Sequence, residues 1–267
     1  MGDFMRLLAI GDVCSDVGID TVKKYLPLIK KENCIDAVII NCENSAQNNG
    51  VSRQSASMLF SFGADVLTGG NHSLRNKEIY EYLDECDCLL RPHNLPDAEY
   101  GKGYCLVDFG RFTMAVINLS GKIYLERVNA DNPFLSADLL IEKAKEDGAD
   151  IIVVDFHAEA TSEKRAMGFY LDGKVSAVFG THTHVQTADE QILPNGTGYI
   201  TDLGMTGPRD SVLGVKKEII INRLRDNDMS KFEFADGERI FCGCIFDIDL
   251  NSGKCTNVER INLDWKI

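Results

Sequence analysis

The chain has 267 residues, enough to bury a full core as one large domain or two small ones. Its hydrophobic content of 44% and charged content of 26% are ordinary for a soluble globular protein. The net charge of −13 argues against binding along a nucleic-acid backbone, because such proteins concentrate lysine and arginine on one face. The charge does not exclude a small anionic substrate, since bound metal ions can make a pocket on an acidic protein locally positive.

The apolar runs are short and the cysteines are many. No run approaches the ~18 residues of a membrane span, and the first one is too short for a signal peptide, so we expect no membrane partner. The nine cysteines are an odd number and contain no Cys-x-x-Cys motif, which suits reduced thiols and argues against a thiolate zinc site. We therefore expect a cytoplasmic protein.

Apolar runs alternate with helical patterns along the first half of the chain. Strands are predicted at residues 5–10, 37–40 and 66–68, and helices at residues 21–31, 52–62 and 76–83. Pro27 inside the first helix predicts a kink or an early stop. A helix, a Gly-Ala-Asp stop and an apolar strand occur together twice, at residues 63–66 and 148–151, which is typical of repeated αβ units.

The second half continues this alternation and then changes to strands. Strands are predicted at residues 88–91, 105–109, 112–119, 151–154, 175–179 and 199–201, and helices at 132–146 and 159–170. The glycine-rich segment 204–208 indicates either a loop over a substrate or a connecting turn. Residues 231–234, 240–249 and 258–263 predict a closing antiparallel sheet. With no linker in the sequence, we predict one α/β domain over residues 1–267.

Polar residues able to bind metals or move protons follow five of these strands. In α/β sheets, ligands bind outside the carboxyl ends of the strands. Solvated loops would favour lysine, serine and glutamine there as readily, yet four of the five histidines belong to this set. Taken strand by strand, the residues are Asp12, then Glu43 and Asn44, then Asn71 and His72, then His157, and finally His182 and His184.

Each of these features alone also has an ordinary structural explanation. Asp12 after glycine is commonly a turn or helix-capping residue, and a lone histidine such as His157 is commonly a satisfied core residue. His182 and His184 could be solvated loop histidines. In extended backbone, however, residues two apart point the same way, so this pair can present two imidazoles to one point. The set as a whole favours a metal site.

The number of candidate ligands indicates two metal ions. Seven ligands exceed the three that the protein supplies to a catalytic zinc, whereas two ions ~3.5–4 Å apart can share them, with Glu43 and a hydroxide bridging. Two divalent ions bring about four positive charges against two from Asp12 and Glu43, so the pocket suits a phosphate ester. Imidazole, amide and carboxylate together suit iron, manganese or zinc better than calcium.

In order and spacing these motifs resemble the calcineurin-like metallophosphoesterase superfamily, and more closely its YmdB-like bacterial branch, over nearly the whole chain. Two positions differ from the superfamily pattern. Cys14 occupies the position of the histidine in the superfamily's Gly-Asp-x-His motif, and Asn44 is the natural replacement for that histidine as a metal ligand. The bridging acid is Glu43, whereas aspartate is commoner in the superfamily. The motifs are Gly11-Asp12, Glu43-Asn44, Gly70-Asn71-His72, His157 and Gly180-Thr181-His182-Thr183-His184, with residues 155–164 and 180–189 as the most specific stretches.

The resemblance implies a sandwich of mixed β-sheets with flanking helices, and a dinuclear centre in which iron is common and manganese or zinc are alternatives. It implies phosphodiesterase activity on cyclic nucleotides, 2′,3′-cyclic and also 3′,5′-cyclic, with His72 as the proton donor. The implied ligands are Asp12, Glu43, Asn44 and His184 for the first ion, and Glu43, Asn71, His157 and His182 for the second.

These features give a mechanism and leave two rival functions to weigh. The metal-bridging hydroxide would attack phosphorus in line while His72 protonates the leaving group of a small phosphodiester. The first rival is a metal-binding regulatory or scaffold protein that acts through a partner, with incidental phosphoesterase activity. The second rival is a metal amidohydrolase. That class carries its His-x-His motif after the first strand, whereas in this chain the motif lies two-thirds of the way along the sequence.

The sequence does not determine the oligomeric state, and it is compatible with a homo-oligomer.

Overall fold

The computed structural model describes residues 4–96, 98–125 and 128–265, so both ends of the predicted domain lie outside the described residues. The elements follow one another in chain order: β1 Phe4–Ile10, β2 Asp12–Val13, α1 Ser15–Glu32, β3 Ala37–Asn41, α2 Arg53–Ser61, β4 Val66–Thr68, a 3-10 turn Lys77–Ile79, α3 Tyr80–Glu85, β5 Tyr104–Asp108, β6 Thr113–Ser120, α4 Pro133–Glu146, β7 Ile151–His157, α5 Thr161–Leu171, β8 Ala177–Thr181, β9 Gln191–Ile192, β10 Gly198–Ile200, β11 Met205–Pro208, α6 Lys217–Asp226, β12 Arg239–Asp249 and β13 Cys255–Trp265.

The strands form two mixed sheets. The first has the order β2-β11-β12-β1-β3-β4, with β13 added beside β12, and the second has the order β5-β6-β7-β8-β10-β9. In the first sheet β1, β3 and β4 run parallel, and in the second β6, β7, β8 and β10 do. The fold class predicted from the sequence, a sandwich of mixed sheets with flanking helices, is confirmed.

Alternation along the strands determines which layer each side chain joins. Leu7 and Ala9 of β1 lie in the core shared by the two sheets, while Leu8 and Ile10 pack with helices α1 and α2 on the outer face. The second sheet is covered in the same way by α4 and α5. Every residue of β7 is buried, as expected for a strand with β-branched residues covered on both faces.

Helix α1 is longer than the sequence predicted and continues through Pro27. Proline removes one backbone hydrogen bond, but Pro27 lies on the exposed side of the helix, where water can satisfy the freed carbonyl. Val22, Leu26 and Ile29 on the opposite side are buried. Their packing holds the helix together across the proline.

Three other predictions were wrong. Segment 204–208 is neither a lid nor a turn, because Met205–Pro208 forms β11, which pairs with β2 and β12. Residues 231–234 form no strand, and residues 88–91 make only isolated bridges. Helix α6 was not predicted, and the structure buries none of its residues.

The sheets bring the predicted site residues to one end of the sandwich. The parallel strands β1, β3 and β4 end just before Asp12, Glu43 and Asn71, and β7 and β8 end at His157 and just before His182. In the described part of the chain, no helix combines the length and the apolar character that crossing a bilayer would require.

Candidate metal centre

One ring nitrogen, Nε2 of His157, is the meeting point of three other candidate ligands. It lies 3.0 Å from Oδ1 of Asn71, 3.0 Å from Nδ1 of His182 and 3.2 Å from Oε2 of Glu43. Such an approach needs Gly70, since a Cβ there would lie 2.1 Å from Oε2 of Glu43 and 2.3 Å from Nε2 of His157. The glycine before Asn71 thus allows the backbone to pass close to the site.

A chain of hydrogen bonds determines the tautomer of His157. Thr181 donates its hydroxyl hydrogen to Oδ1 of Asp155 at 2.7 Å, so its oxygen is left to accept from Nδ1 of His157 at 2.9 Å. Asp155 also accepts hydrogen bonds from Thr68 and Asn41. In the neutral form of His157, the proton is therefore on Nδ1 and the lone pair of Nε2 faces the other ligands, as metal-binding histidines require.

A second group of candidate ligands lies beside the first. The side-chain nitrogen of Asn44 lies 3.1 Å from Nε2 of His184 and donates to Oε1 of Glu43 at 3.1 Å. Oδ1 of Asp12 lies 3.8 Å from Nε2 of His184. Glu43 therefore turns Oε2 toward His157, Asn71 and His182, which we call the His157 group. It turns Oε1 toward the second group, which contains Asn44. A carboxylate that bridges two metal ions would take this position.

The electrostatics of Glu43 and His182 suit a cation. Burial alone would raise the pKa of the Glu43 carboxyl, but the charge and hydrogen bonds of His157 and His72 hold it well below its usual range. Burial, together with the charge of the neighbouring His157, lowers the pKa of His182 to about 3, so its imidazole is neutral at neutral pH. An ionised carboxylate and a neutral imidazole are the forms that bind metals.

Two features of the site are hard to satisfy without a positive ion. Oδ1 of Asp12 is buried and makes no hydrogen bond among the described residues. The lone pairs of the His157 group converge on one point, where a single proton can serve only one or two of them. Glu43, His157 and His182 each place a ligand atom within 4.8 Å of the others. The residues present therefore fit metal ions.

The His-x-His segment does not have the extended backbone that we expected. His182 has φ 103° and His184 has φ 63°, both in the left-handed region that non-glycine residues rarely adopt. The two rings consequently turn to different points, His182 toward His157 and His184 toward Asn44. Strained backbone of this kind persists where surrounding contacts hold it, as at functional sites.

A buried ion pair supplies part of that support. Nζ of Lys164 donates to the carbonyl of Thr181 at 2.8 Å and lies 2.5 Å from Oδ2 of Asp202. The same carboxylate oxygen accepts from the backbone N–H of Thr183 at 3.2 Å. Lys164 and Asp202 therefore hold the residues on both sides of His182.

His72 lies at the rim of the site. Its Nδ1 is 3.1 Å from Oε1 of Glu43 and 3.2 Å from Oδ1 of Asn44, and its side chain is 29% exposed. It lines a cavity of about 370 Å³ together with His182 and His184. This position, in contact with the candidate ligands and open to a bound molecule, differs from that of the buried His157.

Sequence reasoning missed several residues of the site. Glu159 lies 3.1 Å from Nε2 of His182, and the thiol of Cys14 lies 3.6 Å from Nδ1 of His184. Asp155 and Lys164 act through buried hydrogen bonds. The available signal was Asp155, a charged residue inside the otherwise apolar strand β7; Lys164 lies between Glu163 and Arg165 on α5 and gives no such signal.

A comparison with protein-family models shows which group of proteins the chain belongs to. The model of the YmdB-like proteins matches residues 8–261. The chain belongs to the YmdB-like family. The resemblance inferred from the sequence motifs is confirmed.

Relatives within the YmdB-like family cover almost the whole chain. A protein of Bacillus subtilis (strain 168), named 2′,3′-cyclic-nucleotide 2′-phosphodiesterase, is 47% identical over 96% of this chain and 96% of its own. The crystal structure of a novel phosphatase from Mycoplasma pneumoniae is 33% identical, with a TM-score of 0.93, over 99% of this chain and 95% of that one. A hypothetical protein from Thermus thermophilus is 37% identical, with a TM-score of 0.90, over 97% of this chain and 99% of that one.

Proposed function

We propose that this chain is a metal-dependent phosphodiesterase that hydrolyses cyclic nucleotides, 2′,3′-cyclic and also 3′,5′-cyclic. The observation that carries the proposal is the convergence of Glu43, His157 and His182 beside the buried Oδ1 of Asp12, which makes no hydrogen bond among the described residues. The enzyme class agrees with the name of the Bacillus subtilis relative.

We assign two metal ions to the two contact groups. Asp12, Asn44 and His184 would hold the first ion, Asn71, His157 and His182 would hold the second, and Glu43 would bridge them. When bound, the ions supply positive charge for the phosphate oxygens and lower the pKa of a water molecule that serves as nucleophile. The mixed imidazole, amide and carboxylate ligands suit iron, manganese and zinc. Iron is the metal we expect, with manganese or zinc as alternatives.

His72 is proposed as the proton donor to the leaving oxygen. Its Nδ1 is held by Glu43 and Asn44, so the imidazolium form would point Nε2–H away from these two acceptors. A ribose alkoxide is a poor leaving group, and a positioned acid contributes about 10²–10⁴-fold to its departure. Glu43 also accepts a hydrogen bond from the backbone N–H of His72 at 3.1 Å, which fixes the turn that carries the histidine.

The proposal includes a small anionic substrate and a cytoplasmic location. The cavity of about 370 Å³ suits a molecule of nucleotide size. The nine cysteines are all free, which agrees with a reducing compartment.

The test is reconstitution of the metal-free protein with iron, manganese or zinc, followed by measurement of metal content and hydrolysis of adenosine 2′,3′-cyclic and 3′,5′-cyclic phosphates. We expect about two ions per chain, and turnover that is lost when a chelator removes them. Protein that binds no metal, or that is fully loaded yet turns over neither nucleotide, would contradict the proposal.

A further inference from the structure

An apolar wall faces the metal centre across the cavity that contains His72. It is built by the segment between β11 and β12, which lies outside the two sheets. The ring of Phe232 is 47% exposed, and the Arg223 guanidinium lies 4.0 Å from its centroid. We call this wall the shelf, and its residues are Val212, Val215, Ile220, Phe232 and Phe234.

A second cavity continues from the first along the shelf. Its volume is about 320 Å³, and it shares Val215, Phe232 and Phe234 with the cavity at the metal centre. None of the candidate metal ligands lines it. Its remaining lining is polar and includes two cations, Arg75 and Lys231. The two cavities adjoin at these shared residues, and we call them together the groove: candidate metal ligands line one cavity and the two cations line the other.

The two cations of the second cavity stand out on a chain with a net charge of −13. Among the described residues, neither Arg75 nor Lys231 has a carboxylate within ion-pair distance. The nearby Glu233 is paired instead with Lys216, at 2.5 Å. Arg75 belongs to the same turn as His72, since its backbone N–H donates to the His72 carbonyl at 2.9 Å. The turn that presents His72 to the metal centre therefore also presents a cation to the second cavity.

We infer that the groove binds a nucleotide that carries one further phosphate group beyond the cyclic one, with its base on the shelf and that phosphate on Arg75 and Lys231. The inference rests on the proposed function. Aromatic side chains accept any base by stacking, and arginine and lysine bind phosphate oxygens. Only two cations line the second cavity, so the groove suits a mononucleotide or the end of a short chain, in agreement with the acidic character of the protein.

The further phosphate could be a terminal 5′-phosphate or the phosphodiester that links a preceding nucleotide. The kinetic test therefore compares three substrates: adenosine 2′,3′-cyclic phosphate, its 5′-phosphorylated form, and the dinucleotide ApA ending in a 2′,3′-cyclic phosphate. We expect a lower KM, by about five- to tenfold, for at least one of the two substrates with the extra phosphate. Preference for the 5′-phosphorylated form identifies a terminal phosphate, and preference for the dinucleotide identifies a diester.

The variant Arg75→Gln/Lys231→Gln should remove this preference and leave turnover of adenosine 2′,3′-cyclic phosphate unchanged. The control Lys31→Gln/Lys254→Gln removes two exposed positive charges from outside both cavities and should keep the preference. Phe232→Leu should raise KM for all three nucleotides about tenfold, because stacking on the shelf is lost. Wild-type protein with equal KM for the three substrates, or a double variant that keeps the preference, would overturn the inference.

A binding measurement separates this inference from the proposed function. Calorimetric titration with adenosine 3′-phosphate and adenosine 3′,5′-bisphosphate uses ligands that contain no phosphodiester. The bisphosphate should bind about fivefold or more tightly to the wild type, and the two ligands should bind equally to Arg75→Gln/Lys231→Gln. If this difference is present while no cyclic nucleotide is hydrolysed, the proposed function fails and the anion site stands. If the difference is absent, the anion site fails whatever the activity.

Discussion

Nε2 of His157 and Nδ1 of His182 lie 3.0 Å apart, with their ring planes at 80° to each other. Nδ1 of His157 is engaged by Thr181, and Nε2 of His182 lies 3.1 Å from a carboxylate oxygen of Glu159. With both outer nitrogens engaged, the two facing nitrogens can come this close around a shared proton or a bound cation. Both the chemistry and the stability of the site therefore depend on what occupies that point.

Glu43 is expected to serve both metal positions. Replacement by Glu43→Gln removes the charge but keeps the shape, so we expect metal content to fall from about two ions per chain to one or fewer, with loss of turnover. Elemental analysis after reconstitution measures this. Glu142→Gln is the control, because Glu142 lies on the surface away from the site, paired with Lys145. Full loading of Glu43→Gln would refute the bridging role.

Thr181 is expected to act on the metal centre through His157. Thr181→Val keeps the volume but leaves Nδ1–H of His157 without its acceptor, and loss of such a partner typically lowers metal affinity about 10–100-fold. Competition with a chelator measures the affinity. Thr21→Val is the control, because Thr21 is also buried and donates its hydroxyl to a helix carbonyl away from the site. Equal affinities in both variants would show that the hydrogen bond does not orient the ligand.

His72→Ala should keep its metal ions and lose activity in a way that depends on the leaving group. Nitrophenolate leaves without a proton, whereas a ribose alkoxide needs one, so activity on cyclic nucleotides should fall about 10²–10⁴-fold. Activity on bis(p-nitrophenyl) phosphate should fall much less. Comparison of kcat for the two substrates at equal metal loading checks this, and equal losses would remove His72 from the role of acid.

Lys164 is expected to contribute to stability through its buried pair with Asp202. Lys164→Met leaves that carboxylate buried without its partner, so the free energy of unfolding should fall by about 3–5 kcal/mol. Urea unfolding measures the change. Lys143→Met is the control, because the Lys143–Asp147 pair lies on the surface, where water screens it, and should contribute much less. Similar losses for both variants would contradict a special role for the buried pair.

Much of the fold followed from local pattern. The alternation of apolar strands and helices gave the bounds of β3, β4 and α4 to within a residue, and Asn132 caps α4 as predicted. The prediction failed where local pattern carries no signal. Helix α6 buries no residue, and β11 exists only because β2 and β12 lie on either side of it.

The sequence by itself determined which residues could carry the chemistry. Asp12, Glu43, Asn71, His157 and His182 could be named because each follows a strand, and the carboxyl ends of parallel strands meet at one edge. The position of a strand end is set by short-range hydrophobic pattern, which the sequence states directly.

Only the tertiary structure decided how these residues face one another. The left-handed backbone at His182 and His184 turns the two rings apart, and the Lys164–Asp202 pair holds that turn from another part of the chain. The tautomer of His157 likewise depends on Asp155 and Thr181, on two different strands. Orientation is set by contacts between residues distant in sequence, and no local pattern records them.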